Sequence, residues 1–169
     1  NFFWTITNFK KPNGDPIPVR FYDGTESHQK HQLQAFQVLI EDKTRDVRFY
    51  ETCTDETING CHLLFIPEES IAVSKEEYYK KYLYGNQIYQ MAFGHGLFDF
   101  ISGGWGEKEE HGIRGSPLWN IDDFRKNVDY GVFFGHIHIA TNYKNYIYYG
   151  GSLSRFCQGE EKDKGFLSI

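Results

Sequence analysis

Apolar residues in this chain fall in short runs that glycine or proline closes. Val132, Phe133 and Phe134 are β-branched or aromatic and end at Gly135, which predicts a short buried strand. Ile88 to Phe93 is a second, mainly apolar strand, closed by Gly94. Val47 to Tyr50, Cys61 to Ile66 (stopped by Pro67), Asn145 to Tyr149 and Gly165 to Ile169 predict further strands, with Cys53 to Asn59 as a turn. A helix is predicted from Thr25 or Ser27 to about Asp42. Leu33, Phe36, Val38, Leu39 and Ile40 supply its apolar face, and Glu26 suits its first turn. A second helix runs from Ser74 to about Leu83, with Glu76 and Glu77 early, Lys80 and Lys81 late, and Gly85-Asn86 closing it. Asp122 to Asn127 is a short helix with Asn120 or Asp122 near its cap. Asn1 to Asp23 carries no clean period, and Pro12, Gly14, Pro16 and Pro18 mark a loop there. Phe98 to Leu118 is a long glycine-rich connection, the kind of loop that often carries function. Strands alternating with helices predict an α/β layered fold. Without repeats, low-complexity tracts or linkers, residues 1–169 read as a single domain.

Two glycine-closed strands lead directly into histidine. Gly135-His136-Ile137-His138 follows one, and Gly94-His95-Gly96 follows the other. A glycine at a strand end lets the backbone turn sharply. Imidazole is the commonest side-chain metal ligand, and α/β folds place sites at strand ends. On spacing alone the histidines read either as ordinary turn residues or as ligands that meet at one rim of a sheet. Asp15 follows a glycine but is flanked by prolines and reads as part of the loop. His28 and His31, at i and i+3 on the first predicted helix, read as solvated helix histidines. Cys53, Cys61 and His62 contain no Cys-x-x-Cys pair, so the cysteines read as core residues.

Length, charge and composition narrow the picture. A chain of 169 residues is enough for one domain with a real core. The formal net charge of −5 gives no electrostatic footprint for nonspecific nucleic-acid binding. A nucleic-acid substrate held by metal ions and local contacts stays compatible with it. Aromatics make up 18% of the chain, more than a small core needs, which predicts aromatic surface that meets another chain or another part of the protein. Three cysteines without framework spacing point to a reducing, cytoplasmic compartment. No run of about 18 apolar residues and no signal peptide stand in the sequence, so no membrane association is expected. The chain starts at Asn1 rather than Met, which suits a fragment or a processed product.

Taken in order, three motifs resemble those of the calcineurin-like metallophosphoesterases, and in particular the DNA-repair exonuclease branch, the SbcD-type bacterial and phage nucleases. Phe93-Gly94-His95-Gly96 is similar to the single-histidine motif, and Gly135-His136-Ile137-His138 to the Gly-His-x-His motif. Tyr149-Gly150-Gly151-Ser152-Leu153-Ser154-Arg155, with Glu160, Glu161 and Lys164-Gly165-Phe166 after it, is similar to the Gly-Ser segment and Lys-Gly-Phe strand of the nuclease branch. The likeness covers roughly Cys61 to Ile169. The family's upstream Asp-x-His, Gly-Asp-x-x-Asp and Gly-Asn-His motifs have no match here. The chain therefore resembles the C-terminal half of such a domain.

The resemblance implies part of a four-layer α-β-β-α sandwich and phosphodiester hydrolysis by a two-metal-activated hydroxide. Two divalent ions, manganese first and zinc or iron as alternatives, would lie roughly 3.5–4 Å apart. His95 and His136 would serve one ion and His138 the other. The bridging carboxylate would come from upstream motifs, so the isolated chain is expected to be inactive. Arg155 is expected either to contact substrate phosphate or to pair with Glu160 or Glu161. His111, beside Arg114 in the glycine-rich loop, is expected either to touch substrate or to be solvated. DNA or another phosphodiester is the implied substrate, with a coiled-coil ATPase partner and a homodimer implied for the nuclease branch. Two rival readings stay open: a metal-free binding or scaffold module on the same fold, and a phosphatase acting on small phosphoesters or phosphoproteins.

Overall fold

The computed structural model describes residues 2–25, 36–101, 115–152 and 168. It is a mixed α/β fold with one six-stranded mixed sheet, one two-stranded sheet and few, short helices. In chain order the elements are α1 (Phe2–Ile6), β1 (Val19–Tyr22), α2 (Gln37–Glu41), β2 (Val47–Tyr50), β3 (Thr54–Ile58), β4 (Cys61–Ile66), α3 (Lys75–Tyr78), β5 (Tyr89–His95), α4 (Asp122–Arg125), β6 (Val128–Gly135), β7 (Thr141–Tyr143) and β8 (Ile147–Tyr149). The large sheet has the order β3-β4-β5-β6-β8-β7. Its four central strands, β4, β5, β6 and β8, run parallel, and β3 and β7 are antiparallel edges. Strands β1 and β2 pair in parallel as the small sheet.

Parallel pairing sets the register that matters. Ile66 on β4 lies beside Gly94 on β5, and His95 lies beside Gly135 on β6. The C-terminal ends of all three strands therefore reach the same edge. Gly94 fits there because its neighbours leave no room for a side chain. A β-carbon on it would sit 2.6 Å from the Phe134 ring and 2.8 Å from the Ile66 carbonyl oxygen.

Side chains alternate across the sheet. Leu64, Ile66, Ala92, Val132, Phe134, Ile147 and Tyr149 face one core, packed against Tyr79, Leu83, Phe98, Trp119 and Phe124 from the segments that cover that side. Leu63, Phe65, Met91 and Phe93 face the other side, where Tyr22 of β1 and Tyr50 of β2 pack on them. On this second face Phe65, Phe93, Phe133 and Tyr148 stack in sequence from β4 to β8, at centroid spacings of 5.7, 5.4 and 5.1 Å. Arg20 joins the two sheets. Its Nε and Nη2 donate to Glu56 of β3 at 2.6 and 2.7 Å, and Nη1 pairs with Asp46 at 2.8 Å.

The structure changes several predicted elements. Cys53 to Asn59 contains strand β3 rather than a turn. The hairpin closes on Asn59-Gly60, both at positive φ (51° and 83°), which suits a tight two-residue connection. The helix from Ser74 is regular only to Tyr78. The Ser74 cap is present, its Oγ accepting from the Glu77 N–H at 3.2 Å. In the turn that leads into the short helix at Asp122, Asn120 Oδ1 accepts from the N–H groups of Asp122 and Asp123. The predicted helix up to Asp42 is seen over Gln37–Glu41, and residues 26–35 lie outside the described set. The predicted strand Gly165 to Ile169 also falls outside it, apart from Ser168. No helix among the described residues is long and apolar enough to cross a membrane.

Candidate metal centre

Three chain segments converge where β4, β5 and β6 end. Pro67 stops β4 and delivers Glu68 one residue later. His95 is the last residue of β5, and His136 follows the last residue of β6. A fourth segment, Asp23-Gly24-Thr25, arrives from the end of β1. The Glu68 N–H donates to the Asp23 carbonyl at 3.3 Å and the Asp23 N–H to the Tyr50 carbonyl at 3.1 Å, which fastens the small sheet to this edge.

The Glu68 carboxylate is the hub. Its Oε2 lies 2.7 Å from Thr25 Oγ1, 2.8 Å from His95 Nδ1 and 3.4 Å from His136 Nδ1. The side chain is 1% exposed. Burial opposes its ionisation, but the hydrogen bonds from His136, His95 and Thr25 outweigh burial and hold the carboxyl far below the ordinary carboxylate range. The two imidazoles meet edge to face, with centroids 5.1 Å apart and planes at 67°.

Two further features single this place out. His136 has φ of 106°, a region that costs a non-glycine residue about 1–3 kcal/mol and is most often found at functional sites. Its Nε2 is buried and has no hydrogen-bond partner among the described residues. Gly24 lets the chain pass close against His95, since a β-carbon on it would lie 3.1 Å from His95 Nε2 and 3.2 Å from Cδ2. The turn after His95 is held by Tyr149, whose hydroxyl donates to the Gly96 carbonyl at 2.8 Å.

Glu68, His95 and His136 each offer a ligand atom within 4.8 Å of the others. Two imidazoles, a carboxylate and a buried nitrogen without a partner among the described residues fit a divalent cation. His138 stands two residues beyond His136, half-buried, with its carbonyl accepting from the Ser152 N–H at 3.2 Å. Its ring lies outside this 4.8 Å group. No family model matches the chain, and no curated protein is similar to it in sequence.

The remaining candidates divide between placed and unplaced. His111, Arg114, Arg155, Glu160, Glu161, His28 and His31 lie outside the described residues. Asp15 sits in a local turn, bonded to Asn13. Cys53 is a free, buried thiol in the main core, and Cys61 is a free thiol at the edge of the second one. His62 pairs with Asp55 at 2.8 Å. Sequence reasoning found His95 and His136 but passed over Glu68 and Thr25. The available signal for Glu68 was positional: a carboxylate directly after an apolar strand that pairs in parallel with the histidine strands shares their edge.

Proposed function

We propose that this protein is a divalent-metal phosphodiesterase, a DNA nuclease of the SbcD type, with manganese held at the edge where β4, β5 and β6 end. The observation that carries the reading is the Glu68–His95–His136 cluster around a buried carboxylate, with the buried His136 Nε2 left without a partner among the described residues. A bound divalent ion supplies polarisation of a phosphoryl oxygen and a water acidic enough to ionise near neutral pH. His95 and His136 are its nitrogen ligands, and as neutral groups they leave its charge available to the phosphate. Glu68 compensates charge inside the site, where its side chain is almost wholly shielded from solvent. Tyr149 and Gly96 keep the His95 turn in place. In this reading His138, in the loop after β6, serves a second ion.

The same reading makes the two sheets the middle layers of a four-layer sandwich. Its support is the second aromatic face. Tyr22 and Tyr50 cover the Phe65 end, while Phe93, Phe133 and Tyr148 are half-buried, as expected where a second sheet extends across them. Manganese-dependent hydrolysis of bis-p-nitrophenyl phosphate and of linear duplex DNA tests the proposal. The protein carrying this chain is expected to cleave both, and its His136→Ala variant neither. Equal activity in the variant removes the site assignment.

A further inference from the structure

The proton on each hydrogen bond at this cluster can be assigned in turn. Three donors converge on Glu68 Oε2, so the carboxylate only accepts. Thr25 has a single hydroxyl proton and gives it to Glu68 at 2.7 Å. The Thr25 oxygen, 3.2 Å from His136 Nδ1, therefore presents only lone pairs to the ring. His136 Nδ1 must be a donor. His95 Nδ1, 2.8 Å from the same carboxylate oxygen, must be one as well. A neutral imidazole protonated at Nδ1 carries its lone pair on Nε2. A proton on His136 Nε2 would leave a buried donor without an acceptor among the described residues, so that ring is neutral.

We infer that Glu68 and Thr25 are positioning residues behind the imidazoles, fixing both rings as Nδ1–H tautomers so that Nε2 of His136, not the Glu68 oxygen that holds the rings, meets the ion. The inference rests on the metal-centre reading above. It matches the general role of carboxylates that stand behind metal-bound histidines and set their tautomer and orientation. The unpartnered atom at His136 is Nε2, across the ring from the Nδ1 that faces Glu68. Direct ligation by Glu68 Oε2 would instead require that oxygen to give up its contacts to Thr25 and both rings.

Nitrogen-15 NMR of the histidine-labelled, metal-free protein tests this without any activity readout. Both rings are expected to show a protonated Nδ1, and His136 a bare Nε2, while Thr25→Val is expected to leave His136 as a tautomer mixture. Titration with Zn2+ is expected to move the His136 Nε2 resonance. Glu68→Gln should weaken Zn2+ binding by about 10- to 100-fold, the range for loss of a residue behind a ligand, while His136→Ala loses more. A bare Nδ1 on either ring of the wild type overturns the inference. So does a Glu68→Gln variant that loses Zn2+ as completely as His136→Ala. Wild-type protein with both Nδ1–H signatures but no Zn2+ binding refutes the metal reading and leaves the tautomer assignment standing.

Discussion

Gly24 lies against the imidazole of His95, so closely that a β-carbon at position 24 would stand 3.1 Å from Nε2 and 3.2 Å from Cδ2. The two residues belong to different sheets, one just past β1 and the other at the end of β5. Gly24→Ala presses a methyl group against the His95 ring, which must shift to admit it. Metal affinity is expected to fall about 10- to 100-fold, as when the surroundings of a ligand are disturbed. Stability should fall by about 1–3 kcal/mol, the usual cost of overpacking. Parallel urea and metal titrations separate the two effects. A variant with full affinity would show that the ion does not depend on the placement of His95.

At His136 the backbone itself makes a prediction. With φ at 106°, alanine keeps the strain and glycine removes it. His136→Gly is expected to be more stable than His136→Ala by about 1 kcal/mol, the reverse of the order found in ordinary helix or strand positions. Neither variant should bind metal. Equal urea midpoints would mean that this backbone carries no strain.

How much of this was readable in advance follows from the kind of signal each residue gives. His95 and His136 were legible because glycine closes an apolar strand just before each of them. Glu68 was not, because Pro67 marks a strand end and the carboxylates after it look like any polar loop. Only the parallel register of β4 with β5, a property of the folded sheet, brings Glu68 to the histidine edge. Thr25 has the local pattern of a helix cap, and its place at the site comes from the docking of β1, which no local pattern encodes. Strand β3 was missed because Thr54-Asp55-Glu56-Thr57 is polar. It is a strand because β4 pairs with it and because Arg20, Arg48 and Tyr50 take up Glu56.

That last group fixes an acid sensitivity distant from the metal centre. Glu56 is held below its ordinary value of 4.5, chiefly by its hydrogen bonds from Arg20. The lowered value means that the folded state favours the charged carboxylate. The resulting stability is present above the ordinary value and is lost as pH falls below it. Arg20 and Glu56 are 6% and 12% exposed, so Glu56→Ala leaves a buried guanidinium short of a partner. Its cost is expected to be about 3–5 kcal/mol near pH 7, and the gap to wild type should narrow below pH 4.5. Urea midpoints across that range measure it. A gap that stays constant with pH would place the stabilisation elsewhere.

The central claim is that β4, β5 and β6 bring Glu68, His95 and His136 together to hold a divalent cation. Calorimetric titration of the chain with Mn2+ tests it most directly. The account predicts saturable binding in the wild type that disappears in both His95→Ala and His136→Ala while each variant stays folded. Binding of the same strength in either folded variant, or none in the wild type, would contradict it.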